Sequence, residues 1–193
     1  MQYSSPAETA VCNSASLILP RYFTRDNKFD FMELERATKQ LVIDLNATLD
    51  YMQYPTAECQ ASNHRHRPIG ISVEGLADVF MIAKVPYDSE HAQILNTRIF
   101  ELIYHAALEA SCDLAREQGP YESWLGLPAQ QGRLQFDLWG MAPQGRFNWS
   151  HLKSKINEFG LRNSLLVAPV RNFPASVCGD CNESFGPYQR SIP

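Results

Sequence analysis

Arg67-Pro68-Ile69-Gly70-Ile71-Ser72-Val73, running on into Glu74-Gly75-Leu76-Ala77-Asp78, decides the fold. The first seven residues are a β-branched run that reads as a buried strand, and its glycine marks a close backbone approach. A helical segment is expected from Gly75 to about Ala83. Pro86 breaks it, and a long helix follows from about Ser89 to Gln118, stopped by Gly119-Pro120. Leu95, Ile99, Leu102, Ala106 and Ala110 form one face of that helix, and its small residues imply that another element packs closely there.

Upstream, Phe31, Leu34, Ala37, Leu41, Leu45 and Leu49 recur every three or four residues, so an amphipathic helix is expected from Asp30 to about Tyr51, with Asp30 and Glu33 placed as a capping box. Pro55 then opens a short polar stretch. Further upstream, Thr9-Ala10-Val11-Cys12-Asn13-Ser14-Ala15-Ser16-Leu17 reads as a strand that ends at its thiol, with turn chemistry beginning at Asn13. Downstream, the stretch from Tyr121 to Phe147 lacks periodicity and reads as a long connection. A helix is expected from about Trp149 to Phe159, ending at Gly160, and Asn163-Ser164-Leu165-Leu166-Val167-Ala168-Pro169 reads as another buried strand. The alternation of strands and helices is that of an α/β fold with largely parallel strands. Three strands are clear and a fourth has room after Phe185, fewer than a closed barrel contains, so the chain reads as part of a larger domain.

With 45% hydrophobic and 20% charged residues, the 193-residue chain has a globular composition that fits one domain. A net charge of −4 argues against a nucleic-acid surface, and no apolar run reaches the length of a membrane helix. The start lacks the basic and apolar regions of a signal peptide, and five cysteines, an odd number, fit free thiols in a reducing cytoplasm better than a disulfide framework.

Cys12 is either a small buried hydrophobe or a reactive thiol. Cys178-Gly179-Asp180-Cys181 could form a short-loop disulfide or half a zinc site, but four-ligand zinc needs two more ligands, and two loop cysteines are the favoured reading. His64-Arg65-His66-Arg67 could gather an anionic substrate; pairing with carboxylates at a strand end explains it better. Glu74 and Asp78, four apart, fit acidic residues at a helix start better than an acid/base pair.

In order along the chain, these segments resemble the large, catalytic subunit of class I ribonucleotide reductase. Ala10-Val11-Cys12-Asn13 with Ala15-Ser16-Leu17 is similar to the family's A-V-C-N-L-A-S-L, with Ser14 in place of leucine. Arg65-His66-Arg67-Pro68-Ile69-Gly70-Ile71 and Gly75-Leu76-Ala77-Asp78 resemble R-H-R-P-I-G-I-G-V-Q-G-L-A-D, with Ser72 and Glu74 where the family has Gly and Gln. Ala107-Leu108-Glu109-Ala110-Ser111, Gly119-Pro120-Tyr121-Glu122, Arg162-Asn163-Ser164-Leu165-Leu166 and Asn182-Glu183-Ser184-Phe185 continue the likeness.

The resemblance implies a portion of a ten-stranded α/β barrel, incomplete in this chain and occupying 1–193. It implies ribonucleoside-diphosphate reduction for deoxyribonucleotide biosynthesis and DNA replication, with Cys12 as one of the reducing dithiol pair, its partner thiol lying outside these residues. The family's N-x-C-x-E radical-cysteine motif does not occur in the sequence. Where the family's diphosphate loop reads M-P-T-A-S-T-A-Q, this chain has Val170-Arg171-Asn172-Phe173-Pro174-Ala175-Ser176-Val177; only Ala175 and Ser176 resemble it, in a shifted register, and they are the candidate substrate-binding residues. No cofactor or metal is implied in this chain, since the family relies on a radical-generating small subunit with a metal centre and on nucleotide effectors bound elsewhere. The implied partners are a ribonucleoside diphosphate, the remaining large-subunit segments, the small subunit, and thioredoxin or glutaredoxin as reductant. The isolated chain is expected to be inactive. The alternative is a degenerate, non-catalytic relative acting as an interaction module.

Overall fold

A computed structural model describes residues 4–11 and 13–188. Its centre is a pair of parallel strands, β1 (Ser14–Ile18) and β2 (Gly70–Glu74), in the register Ser14 to Gly70 through Ile18 to Glu74. β1 begins after Cys12, whereas the sequence led us to expect a strand ending there. Asn13, expected to start a turn, instead feeds the sheet: its carbonyl accepts from Gly70 N at 2.9 Å, and its side chain donates to Leu45 O at 3.0 Å.

β2 is buried throughout, as its composition requires, and Gly70 is where neighbours come close: a Cβ there would stand 3.3 Å from Ser14 Cβ and 3.4 Å from Ala168 Cβ. The third expected strand reduces to a single parallel bridge, Ile71 to Val167, on the far side of β2. Ile69 N donates to Leu165 O and Ile71 N to Leu166 O, so the acceptors advance by one residue where a regular parallel ladder advances by two. That offset interrupts the strand. Among the described residues, none after Phe185 forms a strand.

The helices are α1 (Phe31–Tyr51), α2 (Ala57–His66), α3 (Leu76–Ile82), α4 (Glu90–Gln118), α5 (Gln135–Leu138), α6 (Trp149–Phe159) and α7 (Phe173–Gly179). Asp30 caps α1 by accepting from Glu33 N, but only half of the capping box forms, because the Glu33 carboxylate turns to Arg36. Ser89 caps α4 and Asn148 caps α6. α1 packs along α4, and Leu34, Val42 and Leu49 of α1 and Ile99 and Ile103 of α4 are fully buried in the shared core, each contributing about 2 kcal/mol by leaving water. α4 also carries buried alanines at 92, 106, 107, 110 and 115, and α1 and α6 are the elements packed against it.

Three helices were not expected: α2, α5 and α7. The polar stretch after Pro55 folds as α2 because the Thr56 hydroxyl caps Cys59 N. α7 starts at the Asn172 cap and carries Pro174 in its first turn, where a missing N–H costs nothing. The stretch from 121 to 147, expected to be a connection, holds the one-turn helix α5 and short turns that bury Trp124 and Leu134.

Candidate functional site

Parallel pairing gives the sheet two chemically different faces. Ala15, Leu17, Ile71 and Val73 point into the helical core, while Ser14, Ser16 and Ile18 share the opposite face with Gly70, Ser72 and Glu74. A parallel sheet covered by helices is ordinarily apolar on both sides. Here one side carries hydroxyls and a carboxyl, and the segment 168–181 lies over it.

The cover is fastened by side chains. Ser72 Oγ donates to Val170 O at 2.8 Å and accepts from Val170 N at 3.1 Å. Asn172 donates to Ser16 Oγ and accepts from Ala175 N, both at 3.4 Å. Ser176 is buried, with its hydroxyl donated to Phe173 O at 2.9 Å, and α7 reaches Ile18, since a Cβ on Gly179 would stand 2.9 Å from Ile18 Cδ1. Ala175 and Ser176 thus sit in α7 above the polar face, with their donors engaged within their own turn. Pro174 supplies no N–H at all. Ser72 and Asn172 were not singled out in the sequence as site residues. Asn172 was legible as a cap two residues before a proline; nothing in the sequence pairs Ser72 with Val170.

Cys12 lies outside the described residues. Its neighbours are Val11, half-buried, and Asn13, buried and doubly anchored as described above.

Glu74 and Asp78 do not share a helical face, because Glu74 ends β2 and Asp78 lies in α3. Both carboxylates hold the segment 182–188. Glu74 accepts from Ser184 N; Asp78 accepts from Asn182 N at 2.7 Å and from the Tyr188 hydroxyl. Burial raises the Glu74 carboxyl above its ordinary value, and the Asp78 hydrogen bond pushes the Tyr188 phenol up to about 12.

The basic run is structural, the reading its sequence favoured. Arg67 is 4% exposed in a left-handed conformation and binds Asp50 through both terminal nitrogens, at 2.7 and 3.0 Å, holding that carboxyl below its usual range. Arg65 and His66 meet Glu8, while the His64 ring packs edge-on against Tyr54.

Cys178 sits at the exposed end of α7 rather than in a loop, and Cys181 follows the helix, its N–H returning to Ser176 O. Two residues in a helix differ by roughly 200°, so Cys178 points away from the buried Ser176 side on which Cys181 lies. Burial and the nearby Asp78 and Glu74 charges push the Cys181 thiol up to about 11, the opposite of a reactive thiolate. Among the described residues no group of three or more metal-ligating side chains converges, and no helix is long and apolar enough to cross a membrane.

Two parallel strands packed among helices, with one polar face, are an α/β arrangement. The family model for the ribonucleotide reductase barrel domain matches residues 1–192, and the chain belongs to that family. It is 48% identical over 192 residues to the ribonucleoside-diphosphate reductase large subunit of Caenorhabditis elegans, covering all of this chain and 24% of that protein. It is 48% identical over 194 residues to the large chain of Cryptosporidium parvum, again 24% of its length, and 48% identical over 192 residues to the Variola virus large subunit, 25% of its length. The chain therefore spans about a quarter of the length of these relatives.

Proposed function

We propose that the chain forms part of the ten-stranded catalytic barrel of a cytoplasmic ribonucleoside-diphosphate reductase, with Cys12 as one thiol of the reducing pair. The observation that carries this is the unbroken match over residues 1–192 at close to half identity; the one-sided polar sheet supports it. Exchange of a ribose hydroxyl for hydrogen consumes two electrons: two thiols become one disulfide, the C–O bond breaks, and the oxygen leaves as water. Cys12 supplies one sulfur, and the other comes from a large-subunit segment beyond these residues. Ala175 and Ser176 contact the substrate diphosphate. The 3.4 Å bond from Ala175 N to Asn172 is long enough to exchange for a phosphate oxygen. No cofactor resides in this chain; a small subunit supplies the radical, and thioredoxin or glutaredoxin restores the dithiol.

To test this, the matching segment of the C. elegans large subunit is replaced by residues 1–192 and assayed with its small subunit, a ribonucleoside diphosphate and dithiothreitol. The chimera is expected to form deoxynucleotide repeatedly, and Cys12→Ser to abolish turnover. Equal turnover with and without that substitution would refute the role of Cys12. The 193-residue chain alone is expected to yield none. One observation favours a second reading, a non-catalytic interaction module: Pro174 has no N–H, and the Ser176 amide and hydroxyl are held within their own turn, which leaves few donors for a phosphate. A folded chimera that assembles but forms no product with Cys12 intact would support it.

A further inference from the structure

We propose that Ser72 and Asn172 are positioning residues that hold 170–176 against the polar face of the sheet and so set where Ala175 and Ser176 stand. The proposal rests on the reading that those two residues meet the substrate, but its structural half can be tested without turnover. Three observations converge on it. Ser72 is buried, and its hydroxyl bonds both the N–H and the carbonyl of one residue, Val170. Asn172, two residues on, reaches down to Ser16, the register partner of Ser72, and up to Ala175 N. Between these anchors Arg171 is exposed, while the positions on either side of it are tied to the sheet.

The chemistry explains why a hydroxyl is needed there. The strand edge of β2 is already occupied by the bridge at Ile71, and the backbone leaves regular pairing at Ala168, whose N–H still meets Ile71 O. Beyond that point Val170 has no strand to bond. A serine side chain, both donor and acceptor, replaces the ladder for one residue and carries the segment across the polar face. A glycine or alanine at 72 would leave Val170 with neither bond, and 170–176 would be held only by Asn172 and α7.

The Arg171–Asn172 bond is a trypsin site between the two anchors, so cleavage there reports their release. Cleavage through local opening follows the population of the open form. The full 193-residue chain is digested briefly and the fragments are quantified by mass, with cleavage after Arg133 as the internal reference. Ser72→Ala is expected to speed cleavage after Arg171 about fivefold or more, the scale of losing two hydrogen bonds, with Arg133 unchanged. Ser72→Thr, which keeps the hydroxyl, is expected to stay as resistant as the parent. The proposal is overturned if Arg171 cleavage is unchanged in Ser72→Ala, if it rises only in step with Arg133, or if the threonine and alanine variants behave alike. Failure of the chimera assay together with a local rise at Arg171 would discard the substrate reading and leave the anchoring intact.

Discussion

Asn163 is 1% exposed, and its side chain makes four hydrogen bonds that join three parts of the fold. Its amide nitrogen donates to Asn46 Oδ1 in α1 and to the Arg67 carbonyl ahead of β2, both at 3.0 Å; its oxygen accepts from Asn46 Nδ2 at 3.0 Å and from Ser111 Oγ of α4 at 2.9 Å. Asn163→Ala removes all four, each worth about 1 kcal/mol net. Some partners recover: Asn46 Nδ2 keeps Val42 O, and Ser111 Oγ still accepts from the backbone of 162 and 163. The Arg67 carbonyl loses this partner, and a cavity opens, so the loss is about 3 kcal/mol, a large part of the roughly 5–15 kcal/mol that holds a domain together. Urea denaturation followed by tryptophan fluorescence measures it. With a slope of about 2 kcal/mol per molar, the midpoint is expected to fall by about 1.5 M. A fall below about 0.5 M with an unchanged slope would refute the reasoning. The double variant with Asn46→Ala should be less destabilised than the sum of the singles, by about 1–2 kcal/mol, because the two side chains share a reciprocal pair.

Burial raises the Glu74 carboxyl, so the folded protein binds its proton to higher pH than the unfolded chain does, and stability falls as pH rises from 4.5 through the raised value. Glu74→Gln, which keeps an acceptor for Ser184 N, is expected to be more stable than the parent at pH 7 and no different well below pH 4.5; equal melting curves at both pH values would contradict this. Iodoacetamide at pH 8 is expected to label the exposed Cys178 well before Cys59, Cys112 or Cys181, the last two being held near 11 by burial. Peptide mass mapping reads the order, and early labelling of Cys181 would overturn it.

The elements that were legible in the sequence combine an apolar stripe with explicit ends. Asp30, Ser89 and Gly119 bracket α1 and α4, and Gly160 closes α6. α2 escaped because its buried residues are Cys59, Ser62 and Asn63, which present no apolar stripe; only the Thr56 cap announced it. The strand expected at 163–169 fails because its order depends on long-range pairing with β2, and that pairing slips by a residue. The structural pairing of Arg65, His66 and Arg67 followed from their place beside a strand. The clamps at Ser72, Glu74 and Asp78 could not be foreseen, because each binds backbone about 98 to 110 residues away, where composition says nothing about contact.

The slipped bridge between Ile71 and Val167 has a consequence for the order in which the molecule is made. β2 leaves the ribosome almost a hundred residues before its second neighbour, an interval of roughly 5–20 s at ordinary rates of synthesis. During that time Ile69 and Ile71 present unpaired amides on an apolar strand, the kind of edge that recruits other chains. α1 and α4 can close on one another in the meantime, since both are complete by residue 118. The nascent chain is thus a helical pair sheltering an unfinished sheet, completed only when Asn163 arrives to join Asn46, Ser111 and Arg67.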